Sequence, residues 1–384
     1  MNSPGIVAHC RLGFEAETAA DLALVARAAG TTSIANAVTG RGYVIAIPAV
    51  FDSQRWPGAL AAAPPVFVRS LFFGSGPHAL FDIAQTRGRP DRVPPLVELI
   101  EQFRGNFPLP GPARASRGAP EFTELRLETP DTNAGKAVSG LCRAVEVPLA
   151  QALRERGVLR AAAADPRQPQ TDSRWAAIHV LFVDGATVYV GASLAPWGSR
   201  WTMGIPRIRM PREAPSRSTM KLAEAIVTFL GDREGELLHA GMHAVDLGAA
   251  PGGWTWQLAY RGLRVIAVDN GPLKGEVAED AHVTHLRVDG LTWFPRKPVD
   301  WMVCDIVQQP SRIATLVGRW MADGHARRCI FNLKLPMKKR HQEVQRCRSL
   351  IADALASTRA RFNLQLRQLY HDREEVTGFV ERVG

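Results

Sequence analysis

The fold is indicated by one stretch of sequence, Val245-Asp246-Leu247-Gly248-Ala249-Ala250-Pro251-Gly252-Gly253-Trp254. An apolar run beginning at Ala244 leads directly into a glycine-rich turn, and a helix-like segment follows. Strand, loop and helix in this order place a cofactor at the open end of a parallel strand. The glycines allow the backbone to approach a ligand closely because no Cβ lies in between.

The spacing of these glycines narrows the class of ligand. Gly248, Gly252 and Gly253 do not fit the G-x-G-x-x-G pattern of dinucleotide-binding loops. The G-K-[ST] ending of a nucleoside triphosphate loop is also missing from the stretch. The loop therefore favours an adenosyl ligand other than a nicotinamide cofactor or a triphosphate.

Composition is that of a globular protein with a basic surface. The chain has 384 residues, of which 46% are hydrophobic and 22% are charged. This length suffices for two or three domains. Lysine and arginine exceed aspartate and glutamate by 47 to 37, which gives a net charge of +10. The excess favours an anionic partner, nucleic acid first, although a basic surface that only aids solubility has the same charge.

The cysteines and the length of the apolar runs indicate in which cellular compartment the protein is expected. Five cysteines are scattered singly without a C-x-x-C pair, which predicts reduced, mostly buried thiols and neither a disulfide frame nor a metal site. No apolar run approaches the roughly 18 residues of a membrane span. The start Met1-Asn2-Ser3-Pro4 lacks the features of a signal peptide. We therefore expect a cytoplasmic protein that has no membrane partner.

Four segments follow one another along the chain. Residues 1–70 indicate a small α/β unit, and residues 71–195 a second domain in which Asp184-Gly185 predicts a β-hairpin. Residues 196–216, rich in proline and arginine, indicate a linker. Residues 217–384 alternate strands and helices, as a doubly wound α/β sheet does.

Seven strands are predicted in the last segment. Helices separate the first five, which should be parallel, whereas a short turn joins the last two, which should be antiparallel. Five parallel strands that close with a β-hairpin are the plan of the Rossmann-like methyltransferases, which this segment resembles. The predicted strands cover residues 243–247, 265–268, 283–287, 301–304, 330–333, 364–369 and 376–380.

Two aspartates follow predicted strands at positions that suit an adenosyl ligand. Asp269 ends the second strand about 20 residues beyond the glycine loop, where a carboxylate accepts both hydroxyl protons of an adenosine ribose. Asp289, after the third strand, suits the adenine amino group. Each has a structural alternative, because the sequences Asp269-Asn270-Gly271 and Asp289-Gly290 are also typical of turns.

The end of the fourth strand bears on the type of reaction. Asp305 stands at the carboxyl edge of the sheet, where reactive groups of open α/β sheets concentrate. The following Ile306-Val307-Gln308 differs from the Pro-Pro-aromatic sequence of methyltransferases that act on base amino groups. Cys304 lacks the preceding proline of C5-pyrimidine enzymes and points to the opposite face from Asp305, so we expect a buried core thiol there.

Charged residues end or begin other elements at the same edge. Lys334 ends the fifth strand beside Asp305, and an amine in that position needs a carboxylate partner. Lys221 opens the helix before the first strand, and Glu375 begins the last strand. A single lysine of this kind is usually a solvated strand end, but four charged groups at matching edges indicate a site.

These residues carry a family resemblance. The K-D-K-E tetrad of the FtsJ-like RNA ribose 2′-O-methyltransferases is matched by Lys221, Asp305, Lys334 and Glu375. More narrowly, the chain resembles the ribosomal RNA large subunit methyltransferase M family, whose members methylate a cytidine 2′-hydroxyl in the peptidyl-transferase region of 23S rRNA. The motifs that carry this resemblance lie at residues 215–222, 246–254, 268–272, 301–305, 331–340 and 369–377.

The resemblance extends to the amino-terminal half. Glu128-Thr129-Pro130-Asp131-Thr132-Asn133 together with Val147-Pro148-Leu149 is similar to the THUMP RNA-binding domain of that family. The resemblance implies a Rossmann-like class I methyltransferase domain at 217–384, preceded by a ferredoxin-like α/β unit at 1–70 and a THUMP-like α+β domain at 71–195.

The resemblance also implies which residues bind the cofactor, S-adenosylmethionine (SAM). Ser218 matches a cofactor contact of the family, although alone it is typical of a helix N-cap. The expected cofactor-binding residues are Ser218, Gly248, Ala250, Pro251, Gly252, Gly253, Trp254, Asp269, Asp289 and Asp305.

A basic cluster near the proposed site points to RNA. Residues 327–348 contain eight lysines or arginines against one acid, Glu343, which suits phosphate contacts. A solvated helix face is the alternative, above all for the later arginines. The expected RNA-binding residues are Arg327, Arg328, Lys338, Lys339 and Arg340.

The expected reaction is in-line methyl transfer to a ribose 2′-oxygen. Lys334 is the expected general base, provided that its pKa is lowered. Lys221 and exclusion of water lower that pKa, whereas Asp305 and Glu375 raise it. We expect a monomer that acts on 23S rRNA before assembly of the large subunit is complete. Methylation of another RNA, such as tRNA, and a non-catalytic role in ribosome assembly are the alternatives.

Overall fold

The computed structural model describes residues 4–82, 88, 90–106, 122–160, 175–195 and 197–383. Two units divide the chain, Met1–Ile205 and Pro206–Gly384, and each contains its own seven-stranded sheet. Within the described ranges, no helix is both long and apolar enough to cross a bilayer.

The first unit is built on a mainly antiparallel sheet of order β2-β3-β1-β4-β7-β6-β5, in which only β5 and β6 pair in parallel. Helices α1 and α2 pack with β1, β3 and β4 around one apolar cluster, and α3 and α4 pack with β6 and β7 around another. Its elements are β1 Gly5–His9, α1 Glu15–Ala28, β2 Ser33–Asn36, β3 Tyr43–Pro48, α2 Trp56–Ala62, β4 Ser70–Ala79, α3 Val93–Asn106, β5 Glu124–Glu128, α4 Asn133–Glu155, β6 Ala176–Phe182 and β7 Thr187–Leu194.

Two features of this unit bear on the predicted organisation. The hairpin expected at Asp184-Gly185 is confirmed, because β6 and β7 pair antiparallel and the Asp184 carboxylate accepts from the backbone N–H of Ala186 and Thr187. The sheet runs without interruption through β4, which pairs with both β1 and β7. The division at 70/71 stays a prediction, as does the linker at 196–216, whose first residue lies outside the described residues.

The second unit has the predicted doubly wound sheet, of order β10-β9-β8-β11-β12-β14-β13. The first five strands in this order are parallel, and β14 is antiparallel to both β12 and β13, as predicted. Its elements are α5 Thr219–Leu230, α6 Glu234–Leu237, β8 His243–Leu247, α7 Gly253–Ala259, β9 Arg264–Val268, β10 Val283–Leu286, β11 Val299–Cys304, α8 Pro310–Ala322, β12 Ala326–Lys334, α9 Arg340–Ala356, β13 Arg361–Arg367 and β14 Glu375–Val383.

The strand order of the second unit positions a cleft. The chain lays β9 and β10 on one side of β8 and then returns to lay β11 and β12 on the other side. The loops after β8 and β11 therefore leave the sheet in opposite directions, and a crevice opens between them at the carboxyl edge. Buried side chains such as Trp301 and Met302, which project from opposite faces of β11, fill both faces of this strand, as expected for a parallel strand covered by helices.

Candidate active site

The loop after β8 has a backbone that only glycine tolerates. Gly248 has φ +78°, and a Cβ on it would lie 3.1 Å from the backbone nitrogen and Cα of Ile306. Gly252 has φ +115° and immediately precedes α7. The glycine loop thus lies directly against the loop that follows β11, and the two enclose a common space.

That space is a cleft of about 220 Å³ at the carboxyl edge of the sheet. Three of the described residues that line it are aspartates, and none of them is basic. An anionic phosphate is disfavoured in such surroundings, whereas a cationic adenosyl ligand with hydroxyl and amino donors fits them. The lining consists of Gly248, Ala250, Val268, Asp269, Asn270, Val288, Asp289, Gly290, Asp305, Ile306 and Val307.

Asp269 and Asp289 each bind a backbone amide of their own loop, and Asp269 also binds one of the glycine loop. The two carboxylate oxygens of Asp269 accept from Ala250 N–H at 3.0 Å and from Gly271 N–H at 2.7 Å. Asp289 Oδ1 accepts from Leu291 N–H at 2.9 Å. The turn interpretation of both aspartates is therefore present in the structure. Since each carboxylate oxygen has a second lone pair, both can also accept from a ligand in the cleft.

Next to the cleft, two lysines and two carboxylates form a compact square. Lys334 Nζ lies 2.5 Å from Asp305 Oδ1 and 3.0 Å from Glu375 Oε2. Lys221 Nζ lies 2.5 Å from Glu375 Oε2 and 3.7 Å from Asp305 Oδ2. All four side chains are largely but not wholly buried, with 14–20% of their surface exposed. The structure thus brings the four predicted residues together, and Asp305 belongs to both the square and the cleft.

Two neighbouring carboxylates decide the charge state of Lys334. Burial lowers the pKa of this amine, but the charges and hydrogen bonds of Asp305 and Glu375 outweigh burial and leave the pKa above its ordinary value. The condition that the pKa of Lys334 be lowered is therefore not met in the protein without ligands, and the role of this lysine as the base stays a prediction. In this state the lysine is an ammonium group held by two carboxylates.

Glu375, rather than its neighbour Glu374, completes the square. Lys334 and Glu375 pair directly across β12 and β14, so their side chains meet on one face of the sheet. Glu374 lies before the strand, and its carboxylate instead accepts from Arg340 at 2.8 Å. The sequence alone leaves the choice between these adjacent glutamates open, and the register decides it.

Known proteins share both halves of this chain. The family "Ribosomal RNA large subunit methyltransferase M, N-terminal" matches residues 91–194, and "FtsJ-like methyltransferase" matches residues 214–350. The ribosomal RNA large subunit methyltransferase M of Azoarcus sp. (strain BH72) is 44% identical, over 98% of this chain and 95% of the relative. That of Methylococcus capsulatus is 42% identical over 100% of both chains. The chain belongs to this family.

Membership of the ribosomal RNA large subunit methyltransferase M family identifies the activity class. The protein is a methyltransferase, and SAM is its cofactor. The open glycine backbone and the aspartate-lined cleft fit this cationic ligand, which carries no phosphate.

The remaining residues expected at the cofactor lie around the cleft rather than in its lining. Pro251 and Gly252 belong to the glycine loop, Gly253 begins α7, and Ser218 immediately precedes α5. Ser218 occupies the N-cap position without a capping hydrogen bond, and its hydroxyl instead lies 2.7 Å from that of Ser216. The Trp254 indole is buried in the core and its N–H donates to the Ser218 carbonyl, so the predicted cofactor contact of this residue, which stays a prediction, would fall to its backbone.

The predicted basic cluster divides between two ends of the sheet. Arg327 and Arg328 stand at the amino end of β12, seven and six residues before Lys334. At 3.3 Å per residue this separation is about 20 Å, so their predicted place beside the cleft is wrong. Lys338 and Lys339 follow β12 at the edge that carries the square, and both are exposed. Arg340 begins α9 at that edge and pairs with Glu374.

Two buried polar residues on the strands that form the site were not predicted from the sequence to take part in it. Asp246 is fully buried and accepts from the Thr255 hydroxyl at 2.6 Å, and burial raises its pKa to about 7. Asn332 is also fully buried and contacts both carboxylates of the square. The available signal was a polar side chain within an apolar strand, which is costly without a partner.

Cys304 belongs to the core, as predicted. Its thiol is fully buried beside the site, and burial raises its pKa to about 12. A thiolate nucleophile is therefore excluded at this position. All five cysteines are free and buried.

Proposed function

We propose that this methyltransferase transfers the methyl group to the ribose 2′-hydroxyl of a cytidine in the peptidyl-transferase region of 23S rRNA. The supporting observation is the square of Lys221, Asp305, Lys334 and Glu375 next to the cleft. The rRNA substrate is supported by the names of the relatives and by the net charge of +10. The proposal includes action as a monomer in the cytoplasm, before assembly of the large subunit buries the target.

The chemistry requires a base, because a ribose hydroxyl is a poor nucleophile near neutral pH. SAM, when bound, supplies a methyl group activated by a sulfonium. Lys334 is the proposed base, and it must first lose the proton that Asp305 and Glu375 hold in place. A positive charge in the adjoining cleft and exclusion of water by RNA both lower the pKa of Lys334, since each disfavours the ammonium form. The base is thus proposed to form in the complex rather than in the free protein.

The other members of the square are assigned supporting roles. Lys221 binds Glu375 at 2.5 Å, and we assign to it the role of steering the hydroxyl or a neighbouring phosphate of the RNA. Asp305 holds Lys334 and also lines the cleft, so that one side chain links the base to the cofactor. The proposed SAM contacts are Gly248, Ala250, Asp269, Asp289 and Asp305. Further proposed contacts come from Ser218 before α5 and from Pro251, Gly252 and Gly253 at the end of the glycine loop.

RNA is proposed to approach along the edge that carries the square. Lys338 and Lys339 are exposed there, and their charges suit phosphate contacts. Arg340 lies at the same edge, although its pairing with Glu374 leaves it less available. In the first unit, the predicted THUMP-like domain is proposed to contribute further RNA contacts.

Replacement of Lys334 tests the proposal. The variant Lys334→Ala should bind SAM with nearly unchanged affinity but transfer methyl groups at least about a thousandfold more slowly, because the base is lost. Single-turnover transfer to unmethylated 23S rRNA measures the rate, and calorimetry measures SAM binding. Lys297→Ala is a matched control, because Lys297 is exposed and lies two residues before the amino end of β11. Near-normal transfer by Lys334→Ala would exclude the assigned base.

Mapping of ribose methylation separates the alternatives. In cells that lack the protein, loss of one 2′-O-methylcytidine of 23S rRNA is expected, with rescue by the wild type and not by Lys334→Ala. Loss of a modification in tRNA instead would identify a different substrate. An assembly defect that both versions rescue equally would indicate a non-catalytic factor. Equal activity on intact large subunits would contradict action before assembly.

A further inference from the structure

Asn332 contacts both carboxylates of the square from behind. It lies two residues before Lys334 on β12, so both side chains project from the same face of the sheet. Its Nδ2 donates to Asp305 Oδ1 and to Glu375 Oε2, each at 3.1 Å. These are the same two oxygens that hold the Lys334 ammonium. Asn332 therefore helps to determine where the acceptors of the proposed base lie.

The hydrogen-bond pattern around Asn332 determines which way its amide is turned. Ionised carboxylates only accept hydrogen bonds, so the amide atom that faces Asp305 and Glu375 must be the NH₂ group. The amide oxygen then faces the Thr377 hydroxyl at 2.8 Å. Because Asn332 Oδ1 can only accept, the single proton of that hydroxyl is donated to it.

This donation has a consequence for Asp372, which lies in the turn before β14. The Thr377 oxygen is 3.1 Å and 2.9 Å from the two carboxyl oxygens of Asp372, but its proton is already used. An ionised Asp372 would leave lone pairs facing each other, so a proton on Asp372 is needed. Asp372 Oδ2 accepts from Leu369 N–H at 3.0 Å, which leaves Oδ1 as the protonated atom.

The surroundings of Asp372 favour the neutral acid. The side chain is fully buried, and burial raises its pKa to about 7. Two carboxylates face it, Glu375 on β14 and Glu224 on α5, and both oppose its ionisation. Each of these already has cationic or N–H partners. His371 and the backbone amides of Tyr370 and His371 bind Glu224, and the two lysines bind Glu375.

We propose that Asn332, Thr377 and a protonated Asp372 form a positioning network for the catalytic square. Asp372 donates to Thr377, Thr377 donates to Asn332, and Asn332 donates to both carboxylates. The donated N–H groups partly neutralise Asp305 and Glu375 and thereby weaken their hold on the Lys334 proton. Ionisation of Asp372 reverses the Thr377 hydroxyl and leaves the Asn332 oxygen without its donor. The role in catalysis rests on the proposed function, whereas the proton on Asp372 does not.

Two substitutions of Thr377 separate hydrogen bonding from packing. Thr377→Val keeps the volume but removes the hydroxyl, and Thr377→Ser keeps the hydroxyl but removes a methyl group. For a positioning role, Thr377→Val should slow single-turnover methyl transfer about tenfold or more with little change in SAM affinity, and Thr377→Ser should restore most of the rate. Thr315→Val, on the exposed face of α8, is the matched control. The opposite order, with valine active and serine impaired, would overturn the network.

The pH profile tests the role of Asp372. In the wild type, the rise in transfer rate with pH should flatten above about pH 7, where Asp372 ionises. In Asp372→Asn, whose amide donates to Thr377 at every pH, the rise should continue to higher pH. Identical profiles for the two proteins would contradict the assignment. Wild-type protein without activity on 23S rRNA would count against the proposed function instead.

Carboxyl NMR tests the network without any activity measurement. Protein labelled with ¹³C at aspartate carboxyls, with Asp372→Asn to assign the signal, should show Asp372 protonated at pH 6. Thr377→Val should change the titration of that signal, whereas Thr315→Val should not. An Asp372 signal that is ionised at pH 6 would overturn the inference, whatever the RNA substrate proves to be.

Discussion

At the residue scale, the square holds its proposed base in the wrong protonation state for catalysis. Two carboxylates within 3.0 Å stabilise the Lys334 ammonium more than burial destabilises it. Lys334 is therefore protonated in the free protein, and ligand binding has to lower its pKa before the amine can act as a base. This arrangement links proton release to occupation of the site.

The pH dependence of the reaction follows from this charge state. We expect the rate of methyl transfer to rise about tenfold per pH unit between about pH 5.5 and 7, because the neutral fraction of Lys334 grows in that proportion when its pKa is far above the range. Single-turnover rates with saturating SAM and RNA measure the slope, and Lys297→Ala should show the same slope. The pKa of Lys334, although lowered in the complex, is thus expected to stay above this range, and a flat rate between about pH 5.5 and 7 would contradict that expectation.

Gly248 provides a second prediction at this scale, with a control in the same domain. Gly248 and Gly241 both have positive φ, but a Cβ on Gly248 meets the Ile306 backbone, whereas nothing lies within 4 Å of a Cβ on Gly241. Gly241→Ala should lose about 1 kcal/mol of stability from backbone strain alone. Gly248→Ala should lose more and should also weaken SAM binding. Denaturant titration and calorimetry measure both quantities, and equal effects of the two substitutions would contradict the close approach of the loops.

Residue patterns predicted the square but not the network behind it. The four charged residues end or begin elements at one edge, so knowledge of strand direction was enough to expect them together. The role of Asn332 depends on which side chains face it across β11 and β14, and the register between strands distant in sequence is not encoded in a local pattern. The same register distinguishes Glu375 from Glu374.

At the scale of elements, the buried parallel strands were the most predictable. Their apolar runs stand out because helices cover both faces of the sheet, and β8 was predicted with the bounds that it has. The amino end of β12 was missed because Arg327 and Arg328 interrupt the apolar pattern there. The two arginines were misplaced because they were grouped with Lys334 by their nearness in sequence, whereas residues at the start of a strand lie at the opposite edge of the sheet from residues at its end.

The corrected length of β12 gives a prediction about RNA binding. Lys338→Ala with Lys339→Ala should weaken binding of 23S rRNA fragments and reduce the slope of log affinity against log salt by about 1 to 2, because phosphate contacts near the square are lost. Arg327→Ala, about 20 Å away along the strand, is the control and should leave affinity nearly unchanged. Filter binding over a salt series measures both. A larger effect of Arg327→Ala would indicate that RNA follows the other edge.

At the scale of the whole molecule, each unit contains its own sheet and its own buried acidic groups, with opposite responses to pH. In the second unit, Asp246 and Asp372 have pKa values raised by burial to about 7, so the folded state binds more protons than the unfolded chain. Their contribution to stability is complete below the unfolded pKa of 3.8 and is lost as the pH rises through 7.

Glu128 in the first unit has the reverse sign. Burial raises the pKa of this carboxyl, but His179 and His9 outweigh burial and hold it well below its ordinary value of 4.5. Hydrogen bonds from His179 Nδ1 at 2.9 Å and from Met203 N–H at 2.8 Å support the anion. Its contribution to stability is therefore present above pH 4.5 and is lost as the pH falls below that value.

The stabilities of the two units should consequently change in opposite directions with pH. From pH 5 to pH 8, about the range over which the aspartates ionise, the protection factors of backbone amides, which correct for the intrinsic pH dependence of exchange, should fall in the strands of the second unit. They should not fall in the first unit, where the lowered pKa of His179 favours the folded state as the pH rises. Below about pH 4.5 the protection factors of the first unit should fall as Glu128 becomes protonated. Asp372→Asn should flatten the response of the second unit only. Protection factors that change in parallel in both units would show that these buried acids do not control the pH dependence of folding.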